Sequence, residues 1–187
     1  MSKAFNIVIL GVGGQGLITL LDVLARATFD QGQDVKTSEL HGLSQRGGSV
    51  GVHIRFGEKV YSPIVSQGGA DLILSLEQQE ALNGAVFASS STVFLINEYS
   101  SPTMLGDVSK DEISQELAKI SKNVNFVAAS ETCKKELGTD VVAGIFLLGW
   151  AIKKGVLPLT KNAIEQAIKE TMPEKFWELN IKSLNLC

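Results

Sequence analysis

Cysteine is scarce in this 187-residue sequence: the chain has two, Cys133 and Cys187, at widely separated positions. Neither belongs to a C-x-x-C pair, so the sequence lacks the ligand spacing of a zinc knuckle, a thioredoxin-type redox centre or an iron–sulfur cluster. We therefore expect two unpaired thiols in a reducing compartment and no metal site on this chain.

Concentrated positive charge and long apolar runs are also missing. The formal net charge is −3, and no run of Lys and Arg offers the basic surface that follows nucleic-acid phosphates. The first apolar run, 4–10, ends at Gly11, which makes it too short to span a bilayer, and it lacks a signal-peptide cleavage pattern. These features predict a soluble, cytoplasmic protein that binds neither nucleic acid nor membrane.

Familiar catalytic motifs are absent from the sequence as well. It contains no G-x-S-x-G, no Walker lysine and no H-E-x-x-H, and a Ser-His-Asp set cannot be assembled around its two histidines, His41 and His53. His53 is expected on the polar face of a strand, and Glu77 and Glu80 on a solvated helix face. The sequence therefore predicts no catalytic residue.

What the sequence does contain is an alternation of short apolar strands with helical segments. This order predicts a three-layer α/β/α Rossmann-like fold, with a mixed, mostly parallel sheet and a helical C-terminal third, as one domain over residues 1–187. Strands are predicted at 5–10, 34–38, 50–56, 71–76, 92–96 and 124–128. Helices are predicted at 15–30, 77–88, 111–121, 141–154, 160–172 and after Pro173, and a loop at 102–106.

Three connections can also be predicted. Gly32 should end the first helix, and the first two strands should form a βαβ unit. The turn at 57–59 should return the chain through Val60 and Tyr61 as an antiparallel partner of strand 50–56.

The first strand runs into a glycine-rich turn, which reads Gly11-Val12-Gly13-Gly14-Gln15-Gly16. This is a G-x-G-x-x-G pattern directly before a helix, where glycines allow a tight turn and free N–H groups attract an anion. The dinucleotide fingerprint also needs an acid near the end of the second strand, where Glu39 comes late and Asp34 lies at the start. A tight turn that binds no ligand is the alternative.

A second motif lies between the second and third strands, where His41, Ser44, Gln45 and Arg46 are followed by Gly47 and Gly48. A guanidinium beside accessible backbone N–H groups suits a phosphate or a carboxylate. The alternative is a structural loop whose Arg and His bind backbone carbonyls. The candidate ligand-binding residues are therefore Gly11, Gly13, Gly14, Gln15, Gly16, His41, Ser44, Gln45, Arg46, Gly47 and Gly48.

Together the two motifs resemble the gamma domain of pyruvate and other 2-oxoacid:ferredoxin oxidoreductases. The second, His41-Gly42-Leu43-Ser44-Gln45-Arg46-Gly47-Gly48-Ser49-Val50, is most similar to the form found in indolepyruvate-type enzymes. The resemblance continues through 70–77, Leu148-Gly149, 157–159 and Asn180. Some members carry Asn about where this chain has Gly144, and others end in an aromatic residue about where Leu184 lies. Both positions are in the predicted helical third, so these departures bear on contacts with partners more than on membership of the family.

The resemblance implies a subunit, inactive alone, of a heteromeric enzyme that decarboxylates a 2-oxoacid, reduces ferredoxin and forms an acyl-coenzyme A. Indolepyruvate is favoured over pyruvate or 2-oxoglutarate as the substrate. Thiamine diphosphate, Mg²⁺ and [4Fe–4S] clusters are expected on partner subunits, with coenzyme A as co-substrate and ferredoxin as an indirect partner, and no cofactor is assigned to this chain. There are two alternative functions: a stand-alone Rossmann-like dinucleotide-binding protein and a structural adaptor. The isolated chain could also form a homodimer.

Overall fold

The computed structural model describes residues 4–41, 48–101 and 108–187. The strands are β1 (Phe5–Val12), β2 (Asp34–His41), β3 (Ser49–Gly57), β4 (Leu72–Ser75), β5 (Val93–Asn97) and β6 (Val124–Val127). The α-helices are α1 (Leu17–Asp30), α2 (Lys110–Ala118), α3 (Ala129–Leu137), α4 (Ala143–Lys153), α5 (Lys161–Thr171) and α6 (Trp177–Asn185), and 3₁₀ helices cover Gln79–Phe87 and Glu174–Phe176. No helix in these ranges has the length and apolar character that crossing a membrane requires. The predicted loop at 102–106 lies outside the described residues.

Within the described residues, the strands form one six-stranded sheet in the order β2-β3-β1-β4-β5-β6. β1, β4, β5 and β6 pair in parallel, whereas β3 is antiparallel to both of its neighbours, β1 and β2. The mixed, mostly parallel sheet is therefore confirmed.

The same pairing corrects two of the predicted connections. A return strand through Val60 and Tyr61 is wrong, because β3 takes both antiparallel partners from earlier strands. The βαβ unit is only partly right: β2 runs in the same direction as β1, but β3 lies between them. Gly32, with a φ of 76°, does end α1 as predicted.

Side chains alternate between two apolar cores on opposite faces of the sheet. Ile7 and Ile9 of β1 enter the larger core with α1, α4, α5 and α6. Val8 and Leu10 enter the smaller core with α2 and the 3₁₀ helix Gln79–Phe87. Strands buried on both faces give unbroken apolar runs in the sequence. The sheet and the helices that cover its two faces form the predicted three layers.

The helical C-terminal third packs closely over the larger core. Gly149 of α4 brings the backbones of α4 and α6 together: a Cβ there would overlap the carbonyl oxygen of Leu184 and lie 2.7 Å from Sγ of Cys187. Helix α5 is capped by Oγ1 of Thr160, which accepts the N–H of Ala163 at 3.1 Å. The Leu-Gly pair noted in the sequence is therefore a packing feature.

Three local predictions are wrong, because tertiary contacts override the local pattern. His53 is 1% exposed rather than on a polar face: its Nδ1 accepts the N–H of Val65 at 3.1 Å, and its ring packs edge-on against Phe87. Glu77 is 2% exposed rather than solvated. Helix α3 follows β6 directly, where no helix is predicted.

Candidate functional site

The two sequence motifs meet at the carboxyl edge of the parallel strands. β1 ends in the glycine-rich turn, and its Val12 pairs with Ser49, the first residue of β3. One residue further, the N–H of Gly13 donates to the C=O of Gly48 at 3.0 Å. β4 and β5 end at the same edge, which is where ligands and partners dock in open α/β sheets.

Within the turn, Gln15 makes a local contact that the sequence did not reveal. Its side-chain Oε1 accepts the N–H of Val12 at 2.8 Å, and its own N–H donates to the C=O of Val12 at 3.1 Å. A Cβ on Gly11 would lie 2.6 Å from that Oε1 and 3.3 Å from Cβ of Leu76. Gly11 and Gln15 therefore build the turn itself, and only the remaining faces of the turn are available to a ligand.

The turn places the first residues of α1 at the carboxyl edge of the sheet. Gly14 and Gly16 have φ values of 104° and 80°, a region that side-chain-bearing residues rarely adopt. Gly16 is the cap residue of α1 and supplies no capping side chain, and the first turn of α1 contains no acidic residue. The first N–H groups of α1 thus have no capping acceptor from this turn, which favours an anionic or carbonyl group there.

A pocket of about 290 Å³ opens beside the turn. Three helices begin at it: α1 after Gly16, α3 near Ser130 and α4 at Ala143. Its lining consists of Gly14, Gln15, Gly16, Leu76, Asn97, Tyr99, Ser130, Asp140, Val141, Ala143 and Gly144. Helix amino-termini carry partial positive charge and Asp140 carries a carboxylate, so the pocket presents both signs.

Asn97, at the end of β5, organises one wall of this pocket. Its side chain is almost fully buried, and Nδ2 donates to the C=O of Leu76 at 3.1 Å and to Oγ of Ser130 at 2.7 Å. Its Oδ1 accepts the N–H of Ser130 at 3.1 Å, which satisfies the first turn of α3 in place of a cap side chain. Asn97 is not among the site residues predicted from the sequence, where the available signal was a polar residue directly after an apolar strand.

The polar side chains that line the pocket are suited to bind a ligand. Ser130 and Tyr99 contribute hydroxyl groups and Asp140 a carboxylate, so a polar group with donors and acceptors could be held there. In the described part of the chain, no three His, Cys, Asp or Glu side chains converge as a metal site requires.

The acids considered for a dinucleotide site are poorly placed for that role. Asp34 begins β2 at the opposite edge of the sheet, where the N–H of Val60 donates to its carboxylate at 2.8 Å; this hydrogen bond lowers the pKa of Asp34. Glu39 lies near the correct edge, but β3 separates its strand from β1. The fingerprint needs the acid on the strand beside the glycine turn, so this geometry disfavours dinucleotide binding.

The second motif is described only in part. His41 ends β2 opposite Val50 of β3, and Gly48 contacts the glycine-rich turn. The candidates Ser44, Gln45, Arg46 and Gly47 lie outside the described residues. Their participation in a site with the turn remains a prediction.

Comparison with known proteins gives consistent matches over nearly the whole chain. The family model described as pyruvate ferredoxin/flavodoxin oxidoreductase matches residues 6–186. Indolepyruvate oxidoreductase subunit IorB of Archaeoglobus fulgidus is 38% identical, over 97% of this chain and 92% of that protein. The subunit of the same name from Pyrococcus horikoshii is 32% identical, over 98% of this chain and 94% of its own. The crystal structure of the gamma subunit of a keto/oxoacid ferredoxin oxidoreductase from Geobacter sulfurreducens has the same fold, with a TM-score of 0.70 at 24% identity over 97% of this chain and 95% of that one.

Proposed function

Because the chain belongs to the pyruvate ferredoxin/flavodoxin oxidoreductase family, we propose that it is the gamma-type subunit of an indolepyruvate-type 2-oxoacid:ferredoxin oxidoreductase. Two relatives that carry the indolepyruvate name, from Archaeoglobus fulgidus and Pyrococcus horikoshii, match it over almost their entire length. In the proposed reaction the complex decarboxylates the 2-oxoacid, transfers the acyl group to coenzyme A and passes two electrons to ferredoxin. The chain acts in the cytoplasm with its partner subunits and is inactive alone.

In this proposal, thiamine diphosphate, Mg²⁺ and the [4Fe–4S] clusters lie on the partner subunits. Both thiols of this chain make contacts within its own helical third. Sγ of Cys133 lies 3.6 Å from Oγ of Ser183, and Sγ of Cys187 donates to the C=O of Leu184 at 3.3 Å. Burial raises the pKa of the Cys133 thiol, which disfavours the thiolate that a metal ligand must be.

The carboxyl edge of the sheet is the part of the chain proposed to face the thiamine-binding partner. The observation that carries this assignment is the hydrogen bond from Gly13 to Gly48, which joins the two sequence motifs at one edge. There the glycine-rich turn and the segment around Arg46 would complete the environment of the active site or the path of coenzyme A.

Substrate choice tests the proposed type of enzyme. The complex containing this chain should reduce viologen faster with indolepyruvate than with pyruvate or 2-oxoglutarate, each with coenzyme A under anaerobic conditions. Equal or faster reduction with pyruvate would overturn the indolepyruvate assignment.

Replacing Arg46 tests the proposed edge. Arg46→Ala in the reconstituted complex should weaken assembly or slow indolepyruvate-dependent viologen reduction, because a charge-assisted contact to the partner or to an anionic group is lost. Arg26→Ala is the matched control: Arg26 lies near the end of α1, away from the edge, and pairs with Asp30 and Glu170 on the surface. If both variants keep the activity of the original chain, Arg46 has no part in the site.

A further inference from the structure

Glu77 and Glu80 connect two chain segments at the carboxyl edge of the sheet, the start of β3 and the segment that follows β5. We propose that this carboxylate pair positions Ser49 and Ser101 for the partner subunit. Glu77 and Glu80 are then positioning residues, since they act through the residues they hold. The inference rests on the proposed function, in which this edge faces the partner.

Glu77 holds the segment that follows β5. It lies two residues beyond β4, is 2% exposed, and uses its two carboxylate oxygens for different donors. Oε1 accepts the N–H of Ser101 at 3.2 Å, and Oε2 accepts the N–H of Glu80 at 2.9 Å. An amide in its place would turn an NH₂ group toward one of these donors, so only a carboxylate satisfies both.

Glu80 holds the start of β3. Its Oε2 accepts the hydroxyl of Ser49 at 2.5 Å and Nδ2 of Asn83 at 2.8 Å. Because its own N–H is held by Glu77, the hydrogen-bond series runs from Ser101 through both glutamates to Ser49. The series therefore couples Ser49 and Ser101, which are 52 positions apart in the sequence (101 minus 49).

Glu80 lies in the 3₁₀ helix that packs on the smaller core, and the glycine-rich turn contacts the same edge of the sheet. Val12 pairs with Ser49 and Gly13 donates to Gly48, so the start of β3 is fixed by the turn and by Glu80 together. Ser101 lies shortly after Asn97 and Tyr99, which line the pocket. A surface that is already held in place loses less conformational entropy when a partner binds it.

Burial of the Glu77 carboxylate is unfavourable by itself. Removing a charge from water is costly unless hydrogen bonds compensate for it. Its two acceptor bonds offset that cost only when both segments are in place, so the charge favours one arrangement of the edge over others.

The test is a titration of this chain into its partner subunits, with indolepyruvate-dependent viologen reduction as the readout. Two quantities are obtained: the chain concentration that gives half-maximal activity, and kcat at saturation. Glu80→Ala should raise the half-saturating concentration about tenfold with kcat nearly unchanged, because the binding-competent arrangement is populated less often. Glu80→Gln keeps an acceptor oxygen for Ser49 and should restore most of the affinity. Glu77→Gln should behave like Glu80→Ala.

Glu116→Ala is the control, since Glu116 lies on α2, is well exposed and pairs only with Lys119 among the ion pairs of the described residues. Thermal unfolding of each variant shows whether the assay temperature leaves it folded. If folded Glu80→Ala has the half-saturating concentration of the original chain, the carboxylate pair does not position the edge. If the original chain itself fails to raise the activity of the partner subunits, the proposed function fails instead.

Discussion

The glycines of the turn are required for different physical reasons. Gly14 and Gly16 are needed for their positive φ, with open space around the missing Cβ, whereas Gly11 is needed because its surroundings are full. The sequence motif predicted a tight turn but could not separate these reasons, since part of the crowding at Gly11 comes from Leu76, 65 residues further along the chain (76 minus 11).

Gly11→Ala should lower the free energy of unfolding by about 1–3 kcal/mol, because overpacking displaces neighbouring groups. The first group displaced is Oε1 of Gln15, so the loss should be smaller when the change is made in a Gln15→Ala background. Gly14→Ala, which has room but a strained φ, should show no such dependence on Gln15. Urea denaturation of the single and double variants measures these effects, and strict additivity of the Gly11 and Gln15 changes would contradict the explanation.

His53 should make stability depend on pH. Burial lowers the pKa of His53 below its ordinary value of 6.5, so the unfolded chain binds the proton more readily than the folded chain. The contribution of His53 to the free energy of unfolding is therefore fully present above pH 6.5. It is lost as the pH falls below that value toward the folded-state pKa.

Urea unfolding at pH 7.5 and pH 5.5 should show a lower midpoint at the acidic value. His53→Asn, which retains an acceptor for the N–H of Val65, should remove most of the difference, whereas His41→Asn should leave it in place. An undiminished difference in His53→Asn would assign the pH dependence to other groups.

At the scale of elements, the sequence predicts where strands and helices lie along the chain better than it predicts which strands pair in the sheet. The buried strands β1, β4 and β5 follow from short apolar runs, and α1 from its helical spacing. The insertion of β3 between β1 and β2 depends on pairing across the sheet, which no local pattern encodes. Helix α3 was missed because it packs through Ala129 and Cys133 while most of its other residues are polar.

The two glycines of α4 give a prediction at this scale. Gly149→Ala should destabilise the protein by about 1–3 kcal/mol, because its Cβ would meet the backbone of α6 and force the helices apart. Gly144→Ala would meet the flexible end of Leu20, so the helix propensity gained from alanine, about 1 kcal/mol, should offset much of the cost. Thermal or urea unfolding compares the two variants, and a Gly149→Ala protein as stable as the original would contradict the close packing.

At the scale of the whole molecule, the two sequence motifs predicted the family, and the alternation of apolar strands with helical segments predicted the layered fold. They did not predict the pocket wall built by Asn97 or the buried carboxylate of Glu77. Both depend on segments that are distant in sequence, since Asn97 contacts Leu76 and Ser130, and Glu77 contacts Ser101. Residues of these types are usually exposed, so burial must be seen before their roles can be inferred.

The central claim is that this chain functions as a subunit, and anaerobic affinity purification of the chain from its native cells tests it most directly. Mass spectrometry and cofactor analysis of the purified material should find a larger subunit that carries thiamine diphosphate and iron–sulfur clusters. The same material should reduce viologen when indolepyruvate and coenzyme A are added. A chain recovered without partners, and without 2-oxoacid-dependent activity, would contradict the account.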